Sequence, residues 1–99
     1  MPRAKGPSFD WDDANIAHIA RHRVAPHEAE QVIFGARLPI GSEEERGEER
    51  HTELGETEAG RLLLVIWTWR GERIRVVTAF PANRKWRALW RRVEGGRDA

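Results

Sequence analysis

At 99 residues the chain has the size of one ordinary domain, and a mean hydropathy of -0.69 leaves no run of about 18 apolar residues to span a membrane. The absence of cysteine excludes thiol catalysis, a disulfide framework and a cysteine zinc ribbon, and the opening residues lack the basic and apolar blocks of a signal peptide, so a cytoplasmic protein is expected. The net charge of +1 hides a segregation: residues 1–59 carry 7 Lys and Arg against 13 Asp and Glu, net -6, and residues 60–99 carry 10 against 3, net +7.

A basic half attracts polyanions even when the whole molecule is near neutral, and 15 of the 17 cations are arginine, the side chain that forks onto phosphate with two donors. The competing explanation is an arginine-rich genome or a hot habitat.

Residues 1–8 hold two Pro and one Gly without periodicity and read as a loose tail. Asp10 or Asp12 can cap a helix that carries Ile16, Ile19 and Ala20 on one face and runs to about His22. A second helix is predicted from Pro26 through Phe34, with the stripe Ala29, Val32 and Ile33 and a stop at Gly35. The acidic run over residues 42–49 has no apolar residue and reads as a solvated loop, its five glutamates serving solubility rather than a metal.

Residues 50–56 suggest a strand, with a turn over Thr57 to Gly60. Residues 61–70 are apolar on both alternating faces, as in a strand covered from both sides. Gly71-Glu72 supplies a two-residue turn into a strand from Arg73 to Phe80. Asn83 can cap a last helix with Trp86, Leu89, Trp90 and Val93 on one stripe, ended by Gly95 and Gly96. The expected architecture is α+β over residues 9–94: two N-terminal helices, an antiparallel sheet of three to four strands and a C-terminal helix, with a second tail over 95–99.

The two-residue turn places Trp69 opposite Ile74, Thr68 opposite Arg75 and Trp67 opposite Val76. One face then carries Leu63, Val65, Trp67, Trp69, Ile74, Val76, Thr78 and Phe80 as the main core. The other carries Leu64 and Ile66, then Thr68, Arg70, Arg73 and Arg75 toward the hairpin tip. With an even turn before it, the preceding strand puts Leu54 on the core face and His51 and Glu53 among the arginines. A base, an acid and guanidinium groups on one surface suit metal-free phosphodiester cleavage. The competing reading is an ordinary solvent-facing strand surface.

Arg84, Lys85 and Arg87 stand in the first turn of the last helix, where the macrodipole disfavours cations, and this points weakly to anion binding; alternatively they only keep the helix soluble. Trp67, Trp69, Trp86 and Trp90 are placed in the core rather than under nucleic-acid bases, and Trp11 is read as a staple on the first helix. His18 and His22 have the i, i+4 spacing of zinc ligands but no evident third ligand. His22, nearer the apolar stripe, is read as packed and hydrogen-bonded, and no metal or cofactor is assigned.

Phe9-Asp-Trp-Asp-Asp13, Asn15, the Ala-Arg-His22 before Val24, and Glu28-Ala29 resemble the opening of BrnT-family toxins. Glu49-Arg50, Gly55 and the run from Gly60 to Thr68 look like that family's strand pair, and Arg73-Ile-Arg-Val-Val-Thr-Ala79 is similar to its arginine-led strand. The resemblance implies a RelE-like fold and a ribonuclease toxin that arrests translation. It also implies a BrnA-like ribbon-helix-helix antitoxin that neutralises the toxin and through which alone operator DNA is contacted. On residues, it maps family arginines onto Arg50, Arg73 and Arg75 and a basic last helix onto Arg84, Lys85 and Arg87. Arg70, with Arg84, Lys85 and Arg87, completes the expected RNA contacts, and Arg50, His51, Glu53, Arg73 and Arg75 the expected catalytic set.

Three departures accompany the resemblance. Phe80-Pro81 stands where arginine is usual, Trp86 and Trp90 where Glu and Tyr are frequent, and Arg23 where a glycine ends the first helix. They keep a second reading open, a non-catalytic degenerate toxin that binds antitoxin or RNA. A homodimer and a hetero-oligomer both remain open.

Overall fold

Seven elements follow one another in the computed structural model, which describes residues 8–98: α1 (Asp13–Ala20), α2 (Pro26–Phe34), β1 (Arg37–Glu45), β2 (Glu48–Glu56), β3 (Leu62–Arg70), β4 (Arg73–Pro81) and α3 (Arg84–Asp98). The strands form one antiparallel sheet in chain order, so the expected α+β arrangement holds. Residues 1–7 of the expected N-terminal tail, and Ala99 of the C-terminal one, lie outside the described residues. Ser8 and Phe9 are part of the body: the Ser8 carbonyl accepts from the Ile74 N–H at 2.9 Å and Phe9 bridges Ile74 in parallel.

Helix α1 starts where Asp12 accepts from the Ala14 and Asn15 N–H groups while the Asn15 side chain accepts from the Asp12 N–H, closing a capping box. It ends in a Schellman arrangement: Val24 N–H reaches the Ile19 carbonyl at 3.1 Å and Arg23 N–H the Ala20 carbonyl at 2.9 Å. Arg23 occupies the left-handed position between them, at φ 61°. Helix α2 begins at Pro26, with the Glu28 carboxylate accepting from the Ala25 N–H at 3.0 Å.

Both helices cover one sheet face. Ile19, Val24, Ala29, Val32 and Ile33 close over Leu63, Val65, Trp67, Ile74, Val76 and Ala79. Packing there is tight enough that a Cβ on Gly55 would stand 3.0 Å from Val32 Cγ1. On the opposite face α3 lays Trp90, with Trp86, over Leu54, Leu64, Phe80 and Ala82. Among the described residues no helix is long and apolar enough to cross a membrane.

The β3–β4 hairpin has the expected turn and register near its tip, with Gly71 at φ 63° and the pairs Trp69–Ile74, Thr68–Arg75 and Trp67–Val76. Further along, a bulge between Ile66 and Trp67 changes the pairing to Ile66–Thr78, Val65–Ala79 and Leu64–Phe80. The extra residue moves every later side chain of β4 to the other face. Ala79 therefore enters the main core, and Phe80, expected there, packs under α3.

The expectation for β2 is reversed by the same parity. Glu56 pairs with Leu62, leaving five residues in the loop rather than an even number. Leu54 consequently joins Leu64 on the α3 side, and His51 and Glu53 pair with Trp67 and Val65 on the helix-covered face.

The acidic run is not a loop. It forms the end of β1 and the start of β2 around Arg46-Gly47, both at positive φ (55° and 80°) as in a mirror-image type I turn. This edge hairpin is exposed on both faces, so no alternation marks it, and its charge disfavours pairing with another chain.

Three smaller expectations also change. Helix α3 continues through Gly95 and Gly96 to Asp98; glycine weakens a helix by about 1 kcal/mol but ends it only where the backbone turns left-handed. Trp69, expected in the core, is 47% exposed. Trp11, expected as a staple on α1, donates to Glu30 of α2 at 2.8 Å and packs against the main core.

Candidate functional site

The α3-covered face is apolar only over half its length. Toward the β3–β4 tip the pairing sets Arg50 (β2), Thr68 (β3) and Arg75 (β4) side by side, with Arg70 opposite Arg73. Thr68 is buried and spends its hydroxyl on the Glu49 carbonyl at 2.8 Å, which leaves a floor from which the guanidinium groups rise. Helix α1 walls the β4 edge, where the Asn15 amide donates to the Val76 and Asp10 carbonyls. Between helix and strands lies a cleft of about 330 Å³, lined by His18, Glu48, Arg50, Arg70, Arg75 and Thr78 among others.

Every arginine of this cleft is held by carboxylates. Glu48 accepts from Arg70 at 2.9 Å and Arg50 at 3.4 Å, and Arg50 also reaches Glu45 at 3.2 Å. Arg75 donates to Asp12 at 3.1 Å and Asp10 at 3.3 Å. The Arg70 hydrogen bond, with help from Arg50, holds the Glu48 carboxyl below its ordinary range. Arg75 does the same for Asp12, reinforced by the Asn15 N–H, and Asp12 in turn raises the Arg75 guanidinium above its ordinary value. The glutamates read as solubility groups thus include the counter-ions of the arginine face.

Of the residues expected at a site, the fold brings Arg50, Arg70 and Arg75 together, and Arg73 stands exposed beside them at the tip. His51 and Glu53 lie on the other side of the sheet. The His51 ring sits 4.5 Å from that of Trp67, and Glu53 is buried against Arg37 at 3.0 Å, with the same guanidinium also donating to the Ile33 carbonyl. Glu53 thereby ties β2 to β1 and α2, His51 packs on β3, and neither lines the arginine cleft.

Arg84 and Lys85 are exposed at the start of α3, capped by Asn83 as expected. Arg87 donates to the Ala82 carbonyl at 3.1 Å and lines a separate cleft of about 350 Å³ with Arg61, Arg91 and Trp90. His22, expected to be packed and hydrogen-bonded, is exposed but sets its ring edge-on to Phe80 at 5.7 Å, while His18 is half-buried; the two histidine rings are 5.8 Å apart. Among the described residues no group of three or more His, Cys, Asp or Glu is arranged to hold a metal ion.

Sequence reasoning missed two members of the cleft, His18 and Glu48. Glu48 lies two residues before Arg50 and therefore on the same strand face, a signal that the all-polar, acidic composition of residues 42–49 conceals. His18 precedes the buried Ile19 and flanks the cleft only because α1 stands at the β4 edge.

No curated protein matches the chain. Residues 11–85, which include every residue lining the arginine cleft, match the family model of the ribonuclease toxin BrnT of type II toxin-antitoxin systems. With a match over most of its length, the chain belongs to the BrnT family.

Proposed function

We propose that this toxin cleaves single-stranded RNA without a metal ion in the cleft between α1 and the sheet, with Arg50, Arg70 and Arg75 holding the phosphates. The observation that carries the reading is the convergence of three guanidinium groups from three neighbouring strands on one cleft. A guanidinium offers paired donors to phosphate oxygens, and a preorganised cluster stabilises the extra negative charge that phosphorus gathers in the transition state. In the free protein carboxylates keep these groups in place; an incoming phosphate exchanges with Glu48 or Asp12 at small net cost.

Arg73 at the tip and Arg84, Lys85 and Arg87 on α3 are outer contacts to the RNA backbone. RNA loss arrests translation in the cytoplasm, within a RelE-like fold, and a BrnA-like ribbon-helix-helix antitoxin neutralises the chain and carries the complex to operator DNA. The basic face makes an acidic antitoxin segment a chemical rival of the RNA. Inducible expression in a bacterium is expected to halt growth and protein synthesis, with Arg75→Ala relieving the arrest. Harmless expression of the folded wild-type chain would overturn the reading.

A second reading has its own support. Phe80 is committed to packing under α3 and Pro81 is exposed, so the end of β4 presents no charge where a ribonuclease of this shape could use one. The chain would then be a non-catalytic module that grips RNA or antitoxin. Salt-dependent RNA binding without cleavage marks that case.

A further inference from the structure

The lining of the arginine cleft can be sorted by what each side chain is free to do. Ala14, Val76 and Val77 offer no titratable group, and the Asn15 amide is spent on two backbone carbonyls. The Thr78 hydroxyl is far too weak an acid to exchange protons near neutrality. The guanidinium groups of Arg50, Arg70 and Arg75 stay protonated. His18 and Glu48 remain, one imidazole on α1 and one carboxylate on β2, and the other carboxylates near the arginines, Asp10, Asp12 and Glu45, do not line the cleft. The His18 imidazole makes no hydrogen bond or ion pair among the described residues, its ring contact being with His22.

We propose that Glu48 and His18 are the proton-transfer pair of RNA cleavage, Glu48 as base and His18 as acid; the assignment rests on the ribonuclease reading above. The Glu48 carboxylate takes the proton of the ribose 2′-hydroxyl as the O2′–phosphorus bond forms. The phosphorus–O5′ bond breaks, and the His18 imidazolium delivers its proton to the departing O5′. One fragment ends in a 2′,3′-cyclic phosphate and the other in a free 5′-hydroxyl, with one proton taken up and one given back. Glu48 suits the base role because two guanidinium groups keep it ionised, and a phosphate that takes over Arg50 and Arg70 releases it at the point where the 2′-hydroxyl arrives. An imidazole is the side chain able to carry a transferable proton near neutral pH.

The charged groups around the pair are Arg50 from β2, Arg70 from β3, Arg75 from β4 with Asp10 and Asp12 behind it, Glu45 from β1 and His22 from α1. The pH profile of cleavage is therefore the decisive readout. The purified full chain is given a labelled single-stranded RNA of mixed sequence, and cutting, RNA affinity and fragment ends are followed from pH 3 to 9, with folding checked at each pH, for wild type, Glu48→Gln and His18→Gln. Each substitution is expected to slow cutting by about a hundredfold or more, leave affinity within a few-fold, and remove one limb of the profile, the acid limb for Glu48→Gln and the alkaline limb for His18→Gln. Cyclic phosphate ends support the scheme.

Variants that cut as fast as wild type, or that lose rate while keeping both limbs, overturn the assignment alone. A wild-type chain that binds RNA without cutting it overturns the ribonuclease reading and the assignment with it.

Discussion

Arg23 sits at φ 61°, a left-handed conformation that costs a residue with a Cβ roughly 1 kcal/mol or more. The arrangement it serves is sound, since Ile19 and Val24 meet in the core beneath it. Its carbonyl accepts from Arg61 at 2.9 Å, a bond that any residue can keep. Arg23→Gly is therefore expected to stabilise the chain by about 1 kcal/mol in urea unfolding, and an unchanged or lowered midpoint would count against strain at this position. The need for glycine here was legible in the sequence, through the resemblance. The arginine face was legible in part: Arg70, Arg73 and Arg75 follow from the two-residue turn alone, whereas the face of Arg50 depends on the register of β2.

At the scale of elements, parity decides what a strand presents. Helices α1 and α2 and the β3–β4 hairpin could be read because caps, Pro26 and the Gly71 turn mark them locally. The faces of β2 could not, because one residue more in the loop before β3 moves His51 and Glu53 from the arginines to the helix side. The bulge at Val77 likewise has no local mark. Helix α2 is tied to this sheet by Glu28, which takes Arg61 at 2.8 Å. Burial pushes the Glu28 carboxyl up, but the Ala25 N–H and Arg61 outweigh it and hold it below its ordinary 4.5.

A carboxyl lowered by folding contributes stability that is complete above its unfolded value and is lost as pH falls through the folded one. Wild-type stability should thus decline below pH 4.5. Glu28→Gln should be less stable by about 1 kcal/mol at neutral pH, allowing for solvent screening of the partly exposed Arg61, with a shallower decline in acid. Parallel curves for the two proteins, from urea midpoints between pH 7 and 3, would contradict this role.

For the molecule as a whole, a net charge of +1 proves to be a local balance as well as a sum. The acidic half supplies Asp10, Asp12, Glu45 and Glu48 to the arginines of β2, β3 and β4, so the basic face is preorganised without being left bare. None of the α3 cations lines the arginine cleft, Arg87 and Arg91 lining another and Arg84 and Lys85 standing exposed at the helix start, and this gives the central claim a clean test. Cleavage of single-stranded RNA by the purified chain should fall by about a hundredfold or more in Arg50→Ala and Arg70→Ala, whereas joint replacement of Arg84 and Lys85 by Ala should weaken binding and its salt dependence with the cutting rate at saturation kept. Equal cutting by wild type and the cleft variants would contradict the account.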